Sequence, residues 1–201
     1  LAGTGTIASK NVGSNKTVSI GTLALGNGSN GGMAANYTLT GGTHQLTVNQ
    51  RPLNATLARQ YDATITSAVS TLSSFDTLQG GETLTMTGSG TAASKNVANG
   101  IAMASNGTLA LANGTGAASN YSLNSTVINI SQTSVDLSGS KTYDGNTTIS
   151  NSSVNVASGL IGSETLSLTG VVNANNANVG SYSASGGTLN MGSTTIALAN
   201  G

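Results

Sequence analysis

A lysine, a tyrosine and an aspartate stand together in KTYDG, residues 141–145, in a chain of 201 residues with only six basic and six acidic side chains. In the same register, eighty-two residues earlier, the chain reads RQYDA, residues 59–63. The charges align in pairs: Arg59 with Lys141, Asp62 with Asp144, Glu82 with Glu164. Two chemistries could use them. A lysine beside a shielded acid can attack an asparagine carboxamide to form an isopeptide, which would make Lys141, Asp144 and Glu164 a reactive cluster. The plainer use is structural punctuation, with an ion pair or cap at a module end. Tyr61 and Tyr143 would then be ring anchors in a core short of aromatics. Asp144 would take backbone N–H groups in a turn, and Gly145 would permit positive φ. Repetition favours the structural use. The earlier copy carries Ala63 where Gly145 stands.

Other chemistries lack their residues. The single histidine, His44 in GGTHQLTV, has no second ligand nearby, and zinc needs three or four donors. A Ser-His-Asp site would also depend on His44, which has no counterpart in the matched SLNSTVINI. Cysteine is absent, so disulfides and thiolate chemistry are excluded. Six acids spread along the chain cannot build a calcium shell of six to eight oxygens at every junction, so the expectation is rigidity without calcium. A formal charge of zero with no basic stripe excludes a nucleic-acid footprint. With no Trp and one Phe, Phe75, no aromatic platform for glycans is expected. The expected state is therefore non-enzymatic and without cofactor.

Few of the residues favour helix. Gly, Thr, Ser and Asn fill more than half of the positions. Hydroxyl and amide side chains compete for backbone hydrogen bonds, and glycine carries the largest backbone entropy cost. Thr alternating with Val, Ile and Leu suits a pleated surface. Disordered chains pair low hydrophobicity with high net charge, which this chain does not have. No apolar run reaches the ~20 residues of a membrane span, and direct membrane insertion is not expected. Because the sequence opens at Leu1, it is expected to be an excerpt or a processed product, and a missing signal peptide says nothing about export.

The chain repeats itself. ASKNV at 8–12 returns at 93–97 and, worn, as NANV at 176–179. TLALGNG at 22–28 returns as TLALANG at 108–114 and TIALANG at 195–201; NYTL at 36–39 returns as NYSL at 120–123. QGGETLTMTG at 79–88 returns as IGSETLSLTG at 161–170. Steps of about 82–87 residues exceed the 20–50 of solenoid coils and suit a sandwich of about seven strands. The expected fold is all-β: tandem Ig-like sandwich modules end to end. Its boundaries would be 1–51 for the end of one module, 52–132 for a complete one and 133–201 for the start of a third. Strands are expected at NATLA, DATITSAV, ETLTMTG, GIAMAS, TLALA, NYSL and TVINIS. Alternation turns Leu84 with Met86, and Leu166 with Leu168, inward. It also separates Ile128 with Ile130 from Val127 with Asn129.

The ordered series KTYDGNTT, IGSETLSLTG, NANVGSYSASGG, TIALANG and NYSL resembles the YDG repeat, with its MBG relatives, of filamentous-haemagglutinin-like bacterial exoproteins. The resemblance covers essentially the whole chain in a cyclically offset frame. It implies an extracellular or cell-surface stalk within a large adhesin, serving adhesion, aggregation or biofilm, and it brings no catalytic residues. The partners it implies are neighbouring modules of the same chain. Identical chains pairing edge to edge into a matrix filament are the alternative. Eleven N-x-S/T sequons, Asn27, Asn106, Asn113, Asn146 and Asn151 among them, exceed modestly the about six or seven expected by chance. Glycosylation at these five is a further expectation.

Overall fold

The computed structural model describes residues 1–68, 72–182, 184–191 and 194–197. Among the described residues the fold is all-β, broken only by single 3-10 turns such as Ala34–Asn36 and Ala118–Asn120. Two compact units form: Leu1–Arg59 with Thr64–Ser131, and Gln60–Ala63 with Gln132–Gly201.

In the first unit, β1 (Thr6–Ile7), β2 (Gly13–Ser19) and β3 (Gln45–Val48) make an antiparallel sheet in that order. The strands that follow are β4 (Arg51–Gln60), β5 (Thr66–Ala68), β6 (Leu72–Phe75), β7 (Leu84–Thr87), β8 (Ser89–Ala92), β9 (Ala98–Ser105), β10 (Ala110–Asn113) and β11 (Tyr121–Ser131). Six of them form one sheet in the order β5-β8-β9-β11-β4-β6, and β7 with β10 forms a separate ribbon. Asn124 Nδ2 and Ser125 Oγ donate to Asn54 Oδ1 at 3.1 and 2.6 Å, while Ser131 Oγ donates to the Arg59 carbonyl at 3.3 Å. Later residues of β11 thus meet later residues of β4, so the two strands run the same way. Asn54 also ties β4 to the turn after β6, since its N and Nδ2 donate to the two oxygens of Asp76 at 2.9 and 2.7 Å. These bonds hold the Asp76 carboxyl below its ordinary value.

The core follows the alternation. Leu53, Ala55 and Leu57 of β4 and Ile128 and Ile130 of β11 are buried, as are Leu84 and Met86 of β7. The ribbon is fixed to the sheet through Leu53, Leu84 and Tyr121, against which Phe75, Leu78, Leu111 and Ala118 pack. Burying one such leucine stabilises by roughly 1.5–3 kcal/mol. NYSL and TVINIS, two strands by sequence, are one eleven-residue strand, because the intervening Asn124 and Ser125 are bonded across to Asn54. DATITSAV shortens to Thr66–Ala68, and its Val69 lies outside the described residues. Ser67 Oγ is fully buried without a hydrogen-bond partner. Ser67→Ala should therefore raise stability by about 1 kcal/mol in urea unfolding, since the orphaned hydroxyl is removed at nearly constant volume.

The second unit pairs β12 (Asp136–Gly139) with β14 (Val154–Ser158), and orders β13 (Thr148–Ser150), β15 (Leu168–Ala174), β16 (Ala184–Met191) and β17 (Thr194–Ala197) as β13-β15-β16-β17. The expected TIALANG strand is seen as far as Ala197, its remainder lying outside the described residues. Leu166, expected inward, is 44% exposed and precedes β15, whereas Leu84 at the matching place is buried under Tyr121. Tyr143 is likewise no core anchor; it is 61% exposed in a turn of polar residues.

Candidate inter-repeat junction

The recurring motifs build recurring local geometry. Thr4 N donates to Thr22 Oγ1 at 3.0 Å, and Ser89 N to Thr108 Oγ1 at 3.0 Å. Asn11 N reaches Ser9 Oγ at 3.2 Å and Asn96 N reaches Ser94 Oγ at 3.1 Å; in the worn copy, Asn178 N reaches Asn176 Oδ1 at 2.9 Å. Asn27 and Asn113 each accept the N–H of Ala34 or Ala118 at 2.8 Å and so cap the 3-10 turns. Glu82 and Glu164 are each presented by a turn that bonds their N–H back to residue 79 or 161, with Gly80 at φ 57 and Gly162 at φ 61.

Within the first unit these pieces meet. Lys10 Nζ lies 2.6 Å from Glu82 Oε1, and Tyr121 OH donates to Glu82 Oε2 at 2.7 Å. Beside them Asn120 grips the SKNV loop at two points: its Oδ1 accepts Val12 N–H at 2.9 Å and its Nδ2 donates to Asn11 Oδ1 at 3.0 Å. Gln50 Nε2 adds a bond to the Ser119 carbonyl at 3.2 Å. The loop of the first repeat copy is thereby clasped to the turn and closing strand of the second. Neither Lys10 nor Glu82 was singled out as a pair from sequence, although both fall inside repeated motifs; the signal was the recurrence of charge in a chain with almost none.

The electrostatics follow from these contacts. The hydrogen bonds from Lys10 and then Tyr121 hold the Glu82 carboxyl below its ordinary 4.5, and the Glu82 bond raises both Lys10 and Tyr121. The depressed carboxyl contributes stability that is present above about pH 4.5 and is lost as pH falls through the lower folded value. The raised cation and phenol contribute stability that is present below their ordinary 10.5 and 10.0 and is lost as pH rises through their folded values. Thermal melts of the chain should thus show a plateau between these limits. Glu82→Gln, which keeps an acceptor for Tyr121 but no charge for Lys10, should flatten the acid limb. An acid limb unchanged by Glu82→Gln would mean that the clasp carries no linked stability. Lys10 is 79% exposed, so salt screens its share.

The YDG stretches act as loop staples. Lys141 Nζ lies 2.7 Å from Asp144 Oδ1 and donates to the carbonyls of Asn146 and Thr148 at 2.8 and 2.9 Å. Its three donors are spent on one turn. Asp144 Oδ1 also accepts Asn146 N–H at 3.0 Å, and these bonds with Lys141 hold its carboxyl low. Arg59 does the matching work in the earlier copy, where its Nη2 donates to the Thr64 carbonyl at 2.5 Å. Glu164 accepts the hydroxyl of half-buried Tyr61, so Lys141 and Asp144 come together while Glu164 serves a tyrosine. Asp62 is exposed beside Ala63. Both turns need positive φ, with Gly145 at 78° and Ala63 at 62°. Ala63→Gly should accordingly stabilise by up to about 1 kcal/mol, the relief of left-handed strain being partly offset by a freer unfolded chain. Of the sequons, Asn27, Asn106, Asn113 and Asn146 are exposed, and nothing is described for the Asn151 side chain. Among the described residues no three His, Asp or Glu side chains converge as a metal site would require.

The fold and this junction define an all-β tandem-repeat protein whose copies are joined by their own motifs. Residues 43–129 match the YDG domain, and residues 127–196 match it a second time. The chain belongs to the YDG domain family. No curated protein and no solved structure matches it.

Proposed function

We propose that the chain is a non-enzymatic stalk segment of a large extracellular bacterial adhesin, supporting cell-surface adhesion, aggregation or biofilm, with each repeat an Ig-like sandwich set end to end. The observation that carries this reading is the clasp of Lys10, Asn11 and Val12 on Glu82, Asn120 and Tyr121. Every one of these residues belongs to a repeated motif, so the sequence spends its scarce charge on joining copies. A hydroxyl and amide surface keeps such a rod soluble without net charge. Electron microscopy with light scattering on polypeptides carrying one, two and four copies of residues 52–132 tests it. Single thin rods whose length grows in proportion to copy number, with or without chelator, are expected. Compact particles or flexible beads would overturn it.

A further inference from the structure

Tension along the chain enters the second repeat through Gln50 and Arg51 and leaves it through Ser131 and Gln132, because repeat motifs precede and follow it. β4 begins at the entry and β11 ends at the exit. The two strands lie side by side in the middle of the six-stranded sheet and run the same way. Their starts thus share one end of the sheet and their finishes the other. Drawing the start of β4 away from the finish of β11 slides one strand along the other, and the bonds between them take the load together. Every other strand pairing described in this repeat is antiparallel. A hairpin pulled at its open ends parts one bond at a time.

The seam between β4 and β11 is guarded on each side. Leu53, Ala55 and Leu57 of β4 and Ile128 and Ile130 of β11 are each at most 1% exposed. Water, which must replace a backbone bond if it is to break cheaply, is kept from this inner face. Side-chain bonds pin both ends: Asn124 and Ser125 hold Asn54 near the entry, and Ser131 holds the Arg59 carbonyl near the exit. β6 flanks β4 and β9 flanks β11, so neither strand is an edge. The clasp on Asn120 lies at the start of β11, so load carried by the clasp passes straight down β11. Load that outlasts the clasp falls on the seam.

We propose that the β4/β11 seam is a mechanical clamp that lets the repeat carry tension along the chain without unfolding. Its strength depends on the direction of pull and not on equilibrium stability alone, because forced unfolding follows the barrier along the pulled path. The source of the tension rests on the stalk reading, but the clamp itself does not. A chain that parts at low force can still be a stalk, and a clamp can stand in a protein that is not a rod.

The absence of cysteine lets two pulling points be chosen in the full chain. Asn49, Ser119 and Gln132 are exposed and lie outside the strands. Asn49→Cys with Gln132→Cys attaches handles that load the seam lengthwise. Asn49→Cys with Ser119→Cys attaches both handles at the end where β4 and β11 start, so the same seam is unzipped. Each double variant is first shown by circular dichroism to be folded. It is then stretched with optical tweezers, and unfolding is recognised by a length gain of about 3.6 Å for each residue between the handles. The force along 49–132 is expected to be roughly threefold or more above that along 49–119, since several bonds share the load in one direction and one bears it in the other. In the lengthwise pull Asn54→Ala should lower the force by roughly a third, because the entry end is no longer pinned. Gly100→Ala, which costs stability outside the seam, should leave it unchanged. Equal forces in the two directions would overturn the proposal, as would Gly100→Ala weakening the lengthwise resistance as much as Asn54→Ala.

Discussion

Gly88→Ala should lower the stability of the first unit by about 3 kcal/mol or more, one of the largest effects expected of any single methyl added to this chain. Gly88 joins β7 to β8 at φ +89, where a side chain is strained whatever the space around it. There is also no space: a Cβ would lie 2.0 Å from the Thr108 carbonyl oxygen and 2.8 Å from Thr108 Oγ1. That carbonyl is backbone and cannot swing aside, and Thr108 Oγ1 is already receiving Ser89 N–H. The kink is where the chain passes from the ribbon into the six-stranded sheet. Gly3 meets Thr22 in the same way, and Gly170 also has positive φ. Urea unfolding read by circular dichroism would check it. Gly100→Ala is the control: φ is +68 but nothing lies within 4 Å, so only the backbone cost of about 1 kcal/mol should appear. Equal losses at the two glycines would show that the close approach at Thr108 is not real.

Ile128→Ala should cost about 3–4 kcal/mol, since a fully buried side chain in the strand between β9 and β4 leaves a cavity that strands fixed on both sides cannot close. Leu46→Ala, at the matching place in the first repeat, should cost under about 1 kcal/mol because that leucine is half exposed. The comparison is made by chemical denaturation of the full chain. A loss at Leu46 as large as at Ile128 would mean that β3 is already covered in solution.

Much of the second repeat was legible because alternation is a local property. Leu84 with Met86, and Ile128 with Ile130, turn inward as their two-residue period requires. The equivalence of copies was legible too, and it extends to single hydrogen bonds such as those of Asn27 and Asn113. Strand ends were less so. Leu72–Phe75 and Ser89–Ala92 lie outside the strands expected from sequence and become strands because β4, β5 and β9 offer them edges. The role of KTYDG was half legible. A turn at Asp144-Gly145 could be read from residue types, but the position of Tyr143 in solvent depends on which strands surround it.

The sequence alone determined the repeat, the β class, the turn residues and the absence of thiol chemistry, because these rest on residue type and spacing along the chain. Only the tertiary structure decided which side chains are covered and which charges meet. Leu84 and Leu166 sit in nearly the same local sequence, yet one is buried and the other exposed. Lys10 and Glu82 are 72 residues apart and belong to different copies. Burial and ion pairing are properties of what packs alongside, and a strand supplied from elsewhere in the chain, such as β11, sets both for every residue it covers.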